Sequence, residues 1–192
     1  MDTNFYKDPD IKFDIAKLQS ALKEVDSRVA RQSPLGERDI NAICLTQIPG
    51  DPNSITGGNV RGLFWTKPDS TYEEVQREAP IDESQYSEFV KLFEDTYFKD
   101  VYDALTKKYT LGRIRLLWKL PRTTLSWHRD PEPRLHIPII TNYGARMCID
   151  TEVRHMPADG SVWITDNTKY HNAFNGGEED RVHLVATVIN QQ

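Results

Sequence analysis

The sequence is short of the features that would place it in several large protein classes. It holds only two cysteines in 192 residues, Cys44 and Cys148. They make neither a metal-binding spacing nor a disulfide framework, which points to a reducing compartment, the cytoplasm. No apolar run approaches the ~20 residues a helix needs to cross a bilayer, so no membrane association is expected. The opening residues, MDTNFYKDPDIKFD, lack the basic-then-apolar pattern of a secretory leader. Cationic residues are outnumbered, 24 against 29, for a net charge of −5. A general nucleic-acid binder would carry a basic stripe, so no nucleic acid is expected as a partner. Internal repeats, low-complexity segments and long linkers are missing too. What remains is a chain of 38% hydrophobic and 28% charged residues, sized for one core and one domain over 1–192.

Periodicity divides that chain into two textures. Ile11, Ile15, Leu18, Leu22, Val25 and Val29 recur every three or four residues among charged neighbours, which predicts an amphipathic helix stopped by Ser33-Pro34-Leu35-Gly36. Two β-like runs follow, Ile40 to Ile48 and Val60 to Thr66. A second helical region is expected from about Ser84 to Lys108, with Phe89, Leu92, Phe93, Tyr97, Val101 and Leu105 as its buried stripe. From Gly112 the pattern turns to strands: RIRLLWKL, RLHIPIIT, ARMCIDTEV, SVWITD and RVHLVATVI, separated by turn-rich connections. The expected fold is mainly β with flanking helices, a double-stranded β-helix of the jelly-roll or cupin-like barrel kind. Residues 1–110 would supply helical support and outer strands extending one sheet, and 111–192 the jelly-roll core.

Within the second texture lies a candidate metal site. His128-Arg129-Asp130 is answered by His171, 43 residues later in NTKYHNAFN. Residues two apart on an extended segment leave from the same face, so one strand end can offer His128 and Asp130 to one ion. Two imidazoles and one carboxylate make a facial triad, the ligand set suited to non-haem Fe(II) with open positions for O2 and a co-substrate. A structural zinc site would want cysteines nearby, and none is there. Ten residues beyond His171, Arg181 offers a planar guanidinium able to pair both oxygens of a carboxylate. Alternation along RLHIPII puts Arg134 and His136 on one face and Leu135, Ile137 and Ile139 on the other, apolar one.

These residues resemble a known group, the Fe(II)/2-oxoglutarate-dependent dioxygenases. Within it the sequence looks most like the aspartyl/asparaginyl β-hydroxylase-like family, in its proline-hydroxylase-like branch. The resemblance covers Arg113 to Val188 and is carried by HRDPEPRLHIPIITN at 128–142, MPADGSVWITDNTKYHNAFN at 156–175 and RVHLV at 181–185. Asp130 matters to it, because some peptidyl aspartyl hydroxylases lack the carboxylate ligand. The resemblance implies His128, Asp130 and His171 as iron ligands. It implies Arg181 for the distal carboxylate of 2-oxoglutarate, with Arg134 and His136 helping to hold that co-substrate. It also implies O2 consumption, release of succinate and CO2, and hydroxylation of a small substrate, an amino acid or a peptidyl side chain.

Other readings stay open. A cupin-type metal enzyme would not use 2-oxoglutarate, a binding module would keep the pocket without turnover, and a purely structural sandwich would make the motif a coincidence. His183 is either a pocket residue or a hydrogen-bonded core histidine, and His155 is expected to be exposed. Trp127 and Trp163 either wall the pocket or pack in the core. The loops 47–58 and 66–80 are expected to select the substrate, with Arg122, Arg129 and Asn142 near the motif. The small-molecule or peptide partner and the oligomeric state are not named by the sequence.

Overall fold

The computed structural model describes residues 3–32, 40–57, 60–78 and 81–191. The proposed helix stop at 33–36 lies outside them. The chain opens with strand β1 (Phe5–Lys12), helix α1 (Ile15–Arg28) and strands β2 (Ile40–Cys44) and β3 (Thr46–Gln47). It continues through β4 (Phe64–Thr66), β5 (Val75–Arg77), β6 (Glu88–Phe89) and helix α2 (Tyr97–Leu105). The remainder is strand: β7 (Tyr109–Lys119), β8 (Thr123–Thr124), β9 (His128–Arg129), β10 (Arg134–Ile140) and β11 (Ala145–Ile149). Last come β12 (Glu152–Arg154), β13 (Ser161–Thr165), β14 (His171–Asn175) and β15 (Arg181–Gln191).

Two antiparallel sheets dominate. The larger has the order β1-β13-β10-β15-β7-β2 and the smaller the order β12-β11-β14-β9-β4-β5, with β8 also on β14. Among the described residues no ladder joins the two, so the jelly-roll-like arrangement is an open pair of sheets rather than a closed barrel. Side-chain alternation divides the large sheet cleanly. Leu116, Leu135, Ile137, Val182 and Leu184 meet Leu18, Leu22 and Val25 of α1 and Val101 and Leu105 of α2 in the main core. Each such aliphatic side chain contributes roughly 1.5–3 kcal/mol on burial. The opposite face looks toward the small sheet and is polar.

Several expectations need correcting. Ile11 belongs to β1, which pairs with β13, and not to the first helix. That helix starts only after Asp14, whose carboxylate accepts the amides of Ala16 and Lys17 and so caps it. The second helix is confined to α2. Upstream of it, Thr46 pairs with Phe89, and Val90 donates to the Leu45 carbonyl. Those ladder bonds replace the i−4 bonds a longer helix would require. Leu92 is accordingly exposed. ARMCIDTEV is two strands folded at Asp150, which has φ 54°, and HNAFN is a strand rather than a turn. The two early runs do not extend one sheet: β2 edges the large one and β4 joins the small one.

Candidate metal centre and its cleft

The small sheet brings the triad together. β9 and β14 pair with His128 directly opposite His171, and the two rings lie 4.3 Å apart between centroids. Asp130 follows one residue after β9, where its amide donates to the Asn167 carbonyl at 2.8 Å. Its carboxylate reaches both rings, Oδ1 at 3.9 Å from His128 Nε2 and Oδ2 at 4.0 Å from His171 Nε2. One ligand atom from each of the three residues lies within 4.8 Å of the others.

The hydrogen bonds around these rings suit them to a metal. His128 Nδ1 sits 2.6 Å from the Ser126 carbonyl, and His171 Nδ1 2.9 Å from the Lys169 carbonyl. Each Nδ1 therefore donates, which leaves each Nε2 unprotonated, the tautomer a metal-binding imidazole needs. Burial pushes the His128 pKa down to about 4 and lowers that of His171 as well, so both rings are neutral at pH 7. Asp130 stays ionised. Burial opposes its charge, but the Arg134 guanidinium, with Nε 3.0 Å from Oδ2, outweighs it. A neutral, neutral, anionic donor set facing one point fits a divalent cation.

Asn167 completes the inner arrangement, and sequence reasoning missed it. Its amide nitrogen is 2.8 Å from His171 Nε2, while its oxygen accepts the Thr165 hydroxyl at 2.6 Å. Glu83 was missed too. From a single 3-10 turn it enters the cleft and meets Arg134 at 2.7 Å, Arg115 at 3.4 Å, and Arg113. Gly112 permits that entry, since a Cβ there would lie 2.5 Å from the Glu83 carbonyl oxygen. Burial resists the Glu83 charge, yet Arg134 and Arg113 hold its carboxyl well below the usual range. No local motif announces either residue, because their partners are remote in sequence.

The triad opens into a cleft between the sheets whose lining includes Arg61, Phe64, Glu83, Arg134, His136 and Arg181. Arg134 spends its guanidinium within the protein, on Asp130, Glu83 and Thr187. Arg181 differs. It is buried, contacts His183 Nδ1 at 2.8 Å, and has no carboxylate partner among the described residues. Burial pulls its pKa down to about 9, so it is still charged at pH 7. Over the triad, Phe64 stands edge-on to His128 at 5.9 Å, and Arg61 lies over the Phe64 ring at 4.9 Å.

Sequence similarity adds a second, independent line. Residues 78–191, more than half of the chain, match the aspartyl/asparaginyl beta-hydroxylase family. The chain belongs to that family. Membership places it among oxygenases and hydroxylases. The triad and Arg181 all fall inside the matched residues. No curated protein matches the sequence. Two solved structures share the fold. One is an oxidoreductase of the 2OG-Fe(II) oxygenase family from Burkholderia pseudomallei, at 15% identity and TM-score 0.53, covering 97% of this chain and 84% of that one. The other is IDO from Bacillus thuringiensis, at 7% identity and TM-score 0.52, covering 99% and 91%.

Other family-motif neighbours lie away from the cleft. Arg129 is held by Glu74 and stacks on Trp65, Arg122 pairs with Glu178, and Asn142 bonds Asn175. Trp127 stacks on Tyr170, while Trp163 packs with Phe5, Met147 and Met156. His155 is half-buried against Tyr143, not exposed. Among the described residues, neither 47–58 nor 66–80 contributes to the lining, which comes instead from 61–64.

Proposed function

We propose that this chain is an Fe(II)- and 2-oxoglutarate-dependent hydroxylase acting, as one domain, on an amino acid or a peptidyl side chain. The observation that carries the reading is the pairing, in one cleft, of the His128/Asp130/His171 donor set with a buried guanidinium that lacks a carboxylate. His128, Asp130 and His171 would hold the iron. Arg181 would pair the far carboxylate of 2-oxoglutarate, a bidentate partnership its planar fork suits. When bound, iron and co-substrate supply the oxidising equivalent that O2 provides, with succinate and CO2 as by-products.

The chain's own residues do the positioning. Ser126 and Lys169 carbonyls fix both imidazole tautomers, and Arg134 fixes the Asp130 carboxylate. Glu83 in turn holds Arg134 from its other side, which fixes where that guanidinium lies. Phe64 and the apolar wall shield the donor set from water, which strengthens every charge interaction inside.

The test is aerobic incubation of iron-loaded protein with 2-oxoglutarate and candidate amino acids and acidic or amidic peptides, reading succinate. Stoichiometric succinate and hydroxylated product support the reading. Iron bound by the triad with no consumption of 2-oxoglutarate under any substrate overturns it in favour of a metal enzyme that needs no such co-substrate.

A further inference from the structure

Beside Arg181 lies a second pair of histidines outside the triad: His136 lines the cleft, and His183 borders a smaller cavity that also touches Arg181. β15 carries Arg181 and His183 two residues apart on the same face, and β10 places His136 beside them. Arg181 Nη2 is 2.8 Å from His183 Nδ1. A guanidinium has donors only, so His183 Nδ1 must accept, and the neutral ring carries its proton on Nε2. His136 Nδ1 is 3.4 Å from that same bare nitrogen. The bond between them exists only if His136 Nδ1 bears the proton, which leaves His136 Nε2 bare. Both Nε2 atoms are buried and without a hydrogen-bond partner.

Resting on the reading of Arg181 as the carboxylate-binding arginine, we infer that His183 is a positioning residue: its Nδ1 anchors the Arg181 guanidinium and fixes the proton of His136. One cation thus sets two tautomers in series. His183 is the one protein group that hydrogen-bonds the Arg181 side chain among the described residues. Removing it frees a side chain with several rotatable bonds, and the ligand must then bear the cost of ordering it. His136 is left with a bare, buried Nε2.

Two measurements test this. In histidine-labelled, Zn(II)-loaded full-length protein, ring-nitrogen NMR reports the tautomers without any variant. The expected result is Nε2–H for His183 and Nδ1–H for His136, and either reverse tautomer overturns the relay. The second is anaerobic calorimetry of the Fe(II) protein with 2-oxoglutarate. His183→Leu is expected to weaken binding roughly tenfold to a hundredfold, the scale of a lost charge-assisted hydrogen bond. His183→Asn, whose amide oxygen can accept in place of Nδ1, restores most of it, and Fe(II) affinity is unchanged in both. The double variant Arg181→Met/His183→Leu binds no more weakly than Arg181→Met alone. Equal affinities for the Leu and Asn variants, or additive losses, contradict a positioning role. Should the wild-type protein fail to bind 2-oxoglutarate, the reading of Arg181 falls, while the tautomers still decide on the relay.

Discussion

Arg181 and Glu83 are buried charges with opposite circumstances. Arg181 has no carboxylate partner among the described residues, whereas Glu83 is surrounded by three arginines. Arg181→Ala is expected to cost about 2–5 kcal/mol in 2-oxoglutarate binding, the scale for truncating one partner of a buried charge pair. Calorimetry showing unchanged affinity would remove Arg181 from the account. Glu83→Gln removes the carboxylate charge that Arg113, Arg115 and Arg134 share and should destabilise the fold by about 3–5 kcal/mol in urea unfolding. The same chemistry sets an acid limit. Glu83 is held below its ordinary pKa, and so is Asp8, where burial is outweighed by hydrogen bonds from Tyr109 and Lys108. A carboxyl depressed on folding contributes stability above its unfolded value, about 4, and loses that contribution as pH falls through the folded value. The urea midpoint should therefore hold from pH 7 to about 5 and drop below about pH 4. A midpoint unchanged at pH 3 would contradict it. At this scale the sequence is legible where spacing signals a cluster, as in His128, Asp130 and His171, whose ligand atoms the fold gathers within 4.8 Å. It is silent on Glu83 and Asn167, whose partners are made by the fold.

Elements are legible when their own periodicity decides them. α1 and the strands from Gly112 onward follow their hydrophobic pattern, and Leu135, Ile137 and Ile139 take the core face that alternation assigns. The segment before α2 shows the opposite case. Phe89 and Phe93 sit at helical spacing, but the edge offered by Leu45 and Thr46 captures the backbone first. β1 is also hidden, since FYKDPDIK has little alternation and becomes a strand by pairing with β13. A turn constrains that same region. Gly160 has φ 82°, its carbonyl accepts the Phe13 amide, and a Cβ there would fall 1.8 Å from the Phe13 oxygen. Gly160→Ala should destabilise by more than the ~1 kcal/mol that the same replacement gains at an unstrained position. Thermal unfolding with no shift would show that the turn relaxes freely. Its effect on iron affinity should be small, because Gly160 precedes β13 at the end away from Thr165, the residue of that strand that pairs with Arg134.

The whole molecule explains why a triad split across 43 residues can work. Two sheets face each other, helices cover the far side of the large one, and the ligands rise from paired strands of the small one. The two-sheet architecture could be read from five strand-like runs with short turns. The segment that roofs the triad could not, because Arg61 to Phe64 comes from a run whose sheet is fixed by β9, and the longer loops on either side were the more natural suspects. The central claim is that iron and 2-oxoglutarate meet in this cleft, held by the triad and by Arg181. Anaerobic addition of Fe(II) and 2-oxoglutarate to the protein tests it most directly, by the weak visible metal-to-ligand charge-transfer band. The band is expected in the wild-type protein and lost in His171→Ala. Folded, Fe(II)-binding protein that shows no band would contradict it.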